Sequence, residues 1–169
     1  AVSSPTAIRE RLYPVHFANI SRQLGILLLT LALCMATSLF WAALYDSTST
    51  IYAFLASSGI TAACGGLLWW FGRRATGPIF RADAIFLVAV SWLLLGVFGG
   101  LPYMFDGAFT NPADAYFETI SGFTTTGSTV MIEIAAHSRA LHWWRTLTHW
   151  VGGMGIIVLF VAIFPQLGV

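Results

Sequence analysis

Residues 111–130, NPADAYFETISGFTTTGSTV, decide the architecture, because they are too polar to cross a membrane and too apolar to form a simple surface loop. Asn111 can cap free N–H groups, Pro112 suits the first position of a helix, and Asp114 complements its positive end. We expect a helix that begins here and breaks at Ser121-Gly122, with a length of about 16 Å. That length is about half of a membrane crossing, so the chain must turn back.

The next eight residues, FTTTGSTV at 123–130, are rich in β-branched hydroxyl residues. Such a run resists helix and favours extended backbone. At membrane depth, non-helical backbone is tolerated only when it is buried in protein or lines an aqueous cavity. Rows of carbonyl and hydroxyl oxygens are the ligands of a dehydrated alkali cation, and the partly negative end of the short helix favours a cation at the same place. Gly127 allows its carbonyl to turn inward. These features predict a pore-loop hairpin.

The composition excludes an ordinary soluble domain and a disordered chain. Of the 169 residues, 57% are apolar and 9% are charged, and the mean hydropathy is +0.79. The net charge of +1 gives no reason to expect a nucleic-acid partner. Cys34 and Cys64 both lie in apolar runs, where small buried side chains are favoured over a disulfide or a metal site.

Outside this hairpin, four apolar runs are long enough to cross a membrane. They lie at 23–45, 51–72, 84–105 and 143–164. The predicted fold class is therefore all-α and integral to the membrane, with four transmembrane helices plus a re-entrant half-helix. We divide the chain into an N-terminal segment (1–22), a leading transmembrane hairpin (23–72) and one helix–pore-loop–helix repeat (84–164).

The distribution of arginine predicts the orientation in the membrane. Six of the eight Arg residues lie before the first span or between the second and third. The positive-inside rule places both regions in the cytoplasm, so the segment 1–22 and both ends of the chain are expected there.

Two motifs resemble one known family. Residues 116–127, YFETISGFTTTG, closely resemble the first pore loop of the Trk-type potassium transporters, the superfamily that includes TrkH, KtrB and HKT. Residues 144–159, WRTLTHWVGGMGIIVL, resemble the opening of the helix that follows this pore loop. The resemblance extends to the GGLP ending at 99–102 and the PQLGV ending at 165–169, and it covers nearly the whole chain. The extra leading hairpin resembles the TrkH branch rather than KtrB, so the nearest likeness is to the N-terminal part of a TrkH-like potassium uptake protein.

The resemblance implies a multi-pass protein of the bacterial cytoplasmic (inner) membrane that takes up K⁺. It implies a cation path built from four such hairpins with pseudo-fourfold symmetry, a homodimer of full-length subunits, and a cytosolic nucleotide-binding regulatory subunit of the TrkA type. K⁺ is the expected transported ion and the only expected metal, with no covalently bound cofactor.

The family's site residues follow from the same resemblance. One quarter of the filter would come from Thr124, Thr125, Thr126 and Gly127. Sodium-selective plant relatives can carry serine at the glycine position, so Gly127 favours potassium. The glycines Gly152, Gly153 and Gly155 would belong to the pore-lining helix, although small residues also serve close helix packing.

Support for the filter is expected from Glu118, Gly122 and Arg145. Glu118 is an ionisable residue in the re-entrant helix, and we expect it to bond filter N–H groups or pair with Arg145 rather than touch the ion. Arg145 is also placed to extend to the outer interface. The sequence leaves His149 open between a packed polar residue and a pore-side group.

The chain departs from the family pattern in length. Four hairpins of about 80 residues need at least about twice this chain to close a four-sided filter. The chain begins with Ala rather than Met, and we expect a fragment or truncated form from which the remaining repeats are absent. Two alternatives stay open: a non-conducting truncated membrane module and a homotetrameric minimal cation channel. An enzyme is not expected, because the serine-hydrolase context around Ser121 is incomplete.

Overall fold

The computed structural model describes residues 17–75 and 81–163 of the chain. Within these residues it contains five α-helices and a short 3-10 turn at Ile134–Ala136. The helices are α1 (Phe17–Tyr45), α2 (Thr48–Gly72), α3 (Arg81–Phe105), α4 (Pro112–Phe123) and α5 (Arg139–Ile163). Three segments of this described part are long and apolar enough to cross a membrane: Phe17–Tyr45, Thr48–Gly72 and Asp83–Phe105. The prediction of an all-helical membrane protein is confirmed at this level.

The long helices begin before the apolar runs that predicted them. α1 begins at residue 17 rather than 23, α3 at 81 rather than 84, and α5 at 139 rather than 143. Only Asp46 and Ser47 separate α1 from α2, so α2 begins three residues before its apolar run at 51–72. Residues 1–16 of the predicted N-terminal segment, residue 164 of the fourth predicted span and the 165–169 motif lie outside the described residues.

α1 and α2 pack as an antiparallel pair with their backbones in close contact. A Cβ atom added at Gly25 would collide with the backbone of Trp69, and one added at Gly72 would collide with the backbone of Arg22. The Ser21 hydroxyl donates across the pair to the Leu68 carbonyl at 2.7 Å. In lipid, such close packing and interhelical hydrogen bonds replace the hydrophobic driving force that holds soluble helices together.

α4 lies between α3 and α5. Its Tyr116 and Thr119 cover Gly96 and Gly99 of α3, where a side chain would collide with them. From α5, the buried Trp144 donates its indole N–H to the Gly99 carbonyl at 3.0 Å. The Trp144 ring also packs edge-on against Phe123 of α4, so the short helix is contacted from both sides.

Adjacent glycines of α2 offer a test of this packing. We expect Gly66→Ala to stabilise the protein by about 0.5 kcal/mol, because the added Cβ meets nothing within 4 Å in the described part of the chain and alanine is the better helix former. Gly65→Ala should lose that gain, since its Cβ would lie 3.0 Å from the Leu29 N atom of α1. Reversible unfolding in bicelles compares the two. Equal effects of the two substitutions would contradict the described α1–α2 contact.

Candidate ion-filter site

The first turn of α4 has the cap that the sequence predicts. Asn111 has extended backbone, with φ −95° and ψ 121°, and its side chain accepts a hydrogen bond from the Ala113 N–H at 3.1 Å. Pro112 is the first helical residue, and Asp114 lies in the first turn. The predicted start of the short helix is therefore confirmed.

The predicted break at Ser121-Gly122 is wrong, because α4 continues to Phe123. Gly122 serves helix packing instead. A Cβ atom added there would collide with the Thr148 hydroxyl of α5. The Ser121 hydroxyl, rather than ending the helix, donates to the Ser128 carbonyl at 2.6 Å and so connects α4 to the segment that returns from it.

α4 ends in a turn that involves the threonine run. The Thr125 N–H bonds to the Gly122 carbonyl at 2.9 Å, and the Thr126 N–H bonds to the Ser121 carbonyl at 3.0 Å. This pair of bonds is the Schellman arrangement, which places the residue after the cap in the left-handed region. Gly127 also directs its N–H to the Ser121 carbonyl, at 3.4 Å. The amides of residues 125–127 thus point back at α4.

Two residues of this turn have positive φ. Gly127 has φ +76°, as its expected role requires, but Thr125 has φ +57° in a position that usually holds glycine. Thr124 lies in the helical region, with φ −84° and ψ 0°. The expectation of an extended run is therefore wrong at Thr124 and Thr125, because the helix end draws their amides into its cap. No signal in the sequence marks a β-branched residue for this conformation.

The three threonine side chains are exposed and form a hydroxyl cluster. Thr124 and Thr126 share a hydrogen bond between their hydroxyl oxygens at 2.7 Å. The Thr125 hydroxyl donates to the Thr124 carbonyl at 2.7 Å. The segment therefore presents hydroxyl and carbonyl oxygens, which are ligands suited to a hard, singly charged cation.

Glu118 is buried behind this segment, with 1% of its surface exposed. One carboxylate oxygen pairs with the Arg145 Nε of α5 at 2.6 Å. The other accepts from the Thr129 hydroxyl at 2.9 Å and from the Val130 N–H at 3.1 Å. Glu118 thus joins α4, α5 and the returning segment. A buried carboxylate is tolerated only with partners of this kind.

The predicted glycines of α5 divide into two groups. A Cβ atom at Gly152 would collide with the Phe123 carbonyl, so α5 contacts the end of α4 at this point. A Cβ atom at Gly153 would lie 3.8 Å from the Thr125 methyl group. Gly155 has no such neighbour within 4 Å among the described residues. The structure therefore brings Gly152 and Gly153 to the turn, but not Gly155.

Three further polar residues lie at the site: His149, Ser121 and Thr129. His149 bonds through Nδ1 to the Arg145 carbonyl of its own helix at 2.8 Å. The sequence predicts no filter role for Ser121 or Thr129, although both connect the returning segment to α4. The sequence marks them only as hydroxyl residues that lie before and after the threonine run.

Known proteins match this chain in sequence and in fold. The family model described as "TrkH: Cation transport protein" matches residues 24–169. The Trk system potassium uptake protein TrkH of Halomonas elongata is 40% identical over 151 residues, which cover 89% of this chain and 31% of that protein. TrkH of Salmonella typhimurium is 36% identical over 156 residues, which cover 92% of this chain and 32% of that protein.

The crystal structure of the potassium transporter TrkH from Vibrio parahaemolyticus superposes with a TM-score of 0.81 at 34% identity, covering 91% of this chain and 33% of that one. The chain thus spans about a third of the length of these relatives. The family is one of transport proteins, which confirms the expectation of a transporter rather than an enzyme. The chain is a multi-pass membrane protein homologous to bacterial TrkH, and it belongs to the TrkH cation transport family.

Proposed function

We propose that this chain contains the first helix–pore-loop–helix repeat of a Trk-type potassium uptake protein. In this proposal Thr124, Thr125, Thr126 and Gly127 supply one quarter of a filter that replaces the hydration water of K⁺ step by step. K⁺ then moves inward down its electrochemical gradient. Membership of the TrkH family and the names of its potassium-transporting relatives support this assignment.

The observation that carries the proposal is the turn at the end of α4. Its N–H groups at residues 125–127 bond back to α4 carbonyls. The polar atoms that remain on these residues are carbonyl and hydroxyl oxygens, and the C-terminal end of α4 adds partial negative charge. A cation is favoured at such a place and an anion is disfavoured.

The wider architecture belongs to the same proposal. α4 is the re-entrant half-helix and α5 is the fourth span. The chain divides into the N-terminal segment (1–22), the leading transmembrane hairpin (23–72) and the helix–pore-loop–helix repeat (84–164). We place the protein in the bacterial inner membrane, with the regions that are rich in arginine on the cytoplasmic side. Glu118, Gly122 and Arg145 support the filter from behind, and Gly152 and Gly153 bring the pore-lining helix against it.

A closed filter needs three further hairpins, which in the proposal come from the same polypeptide, as the greater length of the relatives suggests. Two such subunits form a dimer, which binds a cytosolic nucleotide-binding subunit of the TrkA type. A homotetramer of this chain and a non-conducting membrane module are the competing possibilities, and one growth experiment separates them.

The experiment uses a chimera in which this chain replaces the matched first third of Vibrio parahaemolyticus TrkH. We expect the chimera to restore growth of a potassium-uptake-deficient bacterium at limiting K⁺, and the 169-residue chain alone not to do so. Growth with the chain alone would favour the homotetramer. A chimera that inserts in the membrane but carries no K⁺ would favour the non-conducting module.

Gly127→Ser in the chimera tests the filter itself. We expect the K⁺ to Na⁺ uptake ratio to fall by about tenfold or more, because serine resists a φ of +76° and its carbonyl no longer points as that of glycine does. Gly107→Ser is the matched control, since Gly107 has φ +82° and, like Gly127, has no neighbour within 4 Å of an added Cβ among residues 17–75 and 81–163. An equal loss of selectivity in both variants would overturn the filter assignment.

A further inference from the structure

The N-terminus of α5 is capped by a residue from a distant loop. Asp46, in the connection between α1 and α2, accepts from the Arg139 N–H through Oδ1 at 2.8 Å and from the Ala140 N–H through Oδ2 at 2.8 Å. These donors are 93 and 94 residues away along the chain. The first turn of α5 has no acidic residue of its own, so Asp46 supplies the negative charge that a helix N-terminus favours.

A local residue completes the cap. The Ser138 hydroxyl accepts from the Leu141 N–H at 3.2 Å and donates to Asp106 at 2.7 Å, just beyond the end of α3. The first three amides of α5 therefore all have side-chain acceptors. The start of α5 is joined to α3 through Ser138 and to the leading hairpin through Asp46.

Aromatic contacts hold the leading hairpin against the same end of α5. The Trp143 indole N–H donates to the Thr37 hydroxyl at 2.9 Å. The Trp143 ring lies 5.5 Å from that of Trp41, which in turn stacks on Tyr45 at 5.8 Å. We call Thr37, Trp41 and Asp46, with the α5 residues that they contact, the outer clasp. Apart from the α5 residues, its members come from α1 and from the connection that follows α1.

The outer clasp lies next to the support of the proposed filter. Arg145 follows Trp143 by two positions and lies about 9 Å along the helix axis from Arg139. Arg145 pairs with Glu118, which holds the Val130 N–H. A continuous series of contacts therefore runs from Asp46 through α5 to the backbone that follows the threonine run.

We propose that Asp46 is a positioning residue, which holds the N-terminal end of α5 and thereby sets Arg145, Glu118 and the backbone at Val130. The leading hairpin then has a task beyond anchoring in the membrane: it places the helix that supports the filter from behind. The effect on ions rests on the proposed function, whereas the effect on the Val130 amide does not.

Hydrogen exchange in lipid nanodiscs tests the proposal on the chain itself. Asp46→Ala should speed exchange of the Arg139 and Ala140 amides about tenfold, and that of Val130 about threefold or more. Asp46→Asn keeps one good acceptor and should give intermediate changes. Ser47→Ala is the control from the same loop, because Ser47 makes no capping hydrogen bond, and it should leave all three amides unchanged.

The coupling through Arg145 is measured in a second background. With Arg145→Gln present, Asp46→Ala should have no further effect on Val130 exchange. The proposal is overturned if Val130 exchange does not respond to Asp46→Ala while the α5 amides do, or if the two substitutions act additively. If Asp46→Ala fails to fold, the effect on Val130 exchange is measured with Asp46→Asn and Thr37→Val instead. Thr37→Val removes the acceptor for the Trp143 indole N–H and preserves the shape of the side chain.

Ion uptake by the chimera separates this proposal from the proposed function. We expect Asp46→Ala to lower the K⁺ to Na⁺ uptake ratio at least about threefold, a change that a simple loss of folded protein does not produce. Faster Val130 exchange with an unchanged ratio would support the positioning role and contradict the filter. If Gly127→Ser lowers the K⁺ to Na⁺ uptake ratio but Asp46→Ala leaves Val130 exchange unchanged, the filter assignment is supported and the positioning role is overturned.

Discussion

Arg145→Met should destabilise the protein by about 3–5 kcal/mol, the largest effect that we expect of a single side chain. The substitution preserves most of the side-chain volume but leaves the buried Glu118 carboxylate without the cation that lies 2.6 Å from it. The carboxylate keeps its hydrogen bonds from Thr129 and Val130, and these two bonds do not balance the cost of burying a charge.

A double-mutant cycle with Glu118→Gln isolates this interaction. We expect the double variant to be more stable than Arg145→Met alone, because it contains no unpaired buried charge. Arg139→Met is the matched control on the same helix, since the Arg139 side chain is exposed, and it should cost less than about 0.5 kcal/mol. Unfolding free energies measured by steric trapping in bicelles decide the matter. Equal costs for the Arg145 and Arg139 variants would contradict the ion pair.

Gly152→Ala should destabilise the protein by about 2–3 kcal/mol and abolish growth of the chimera. Its added methyl group would collide with the carbonyl of Phe123. This carbonyl belongs to the backbone, so it cannot avoid the collision by a change of rotamer as a side chain could. α5 would have to separate from α4, which would also disturb the turn that bears the threonines.

Two neighbouring glycines are matched controls for Gly152. Gly155→Ala should be neutral or stabilising by about 0.5 kcal/mol, because its Cβ meets no described residue within 4 Å. Gly153→Ala should lie between the two, since its Cβ makes an ordinary contact with Thr125 at 3.8 Å. Thermal unfolding and growth rank the three variants. A Gly152→Ala protein as stable as Gly155→Ala would rule out the described contact between α4 and α5.

The start of α4 and the long apolar helices follow from the sequence because their causes are local. Asn111 caps a helix that begins at the next residue, and all of the signals lie within four positions. The apolar runs likewise need only a count of residues against membrane thickness. Such features do not depend on which other elements pack nearby.

The end of α4 does not follow from the sequence, because a glycine at position 122 can either end a helix or allow another helix to approach closely. Gly122 breaks a helix in isolation, but in the structure its missing side chain makes room for Thr148. The left-handed Thr125 is a consequence of the helix cap rather than of threonine itself. The cap on α5 cannot be predicted from local sequence either, since Asp46 lies 93 residues from its nearer donor.

The Schellman turn after α4 has a consequence for protein engineering. The conformation of residues 124–127 is set by carbonyls at 121 and 122, and the backbone beyond it is held by Glu118 and Arg145. An eight-residue graft of FTTTGSTV into another protein would therefore not keep its conformation. The smallest transferable unit is residues 111–131 together with Arg145 of the helix that follows, and designers who transfer this segment between scaffolds should move these parts together.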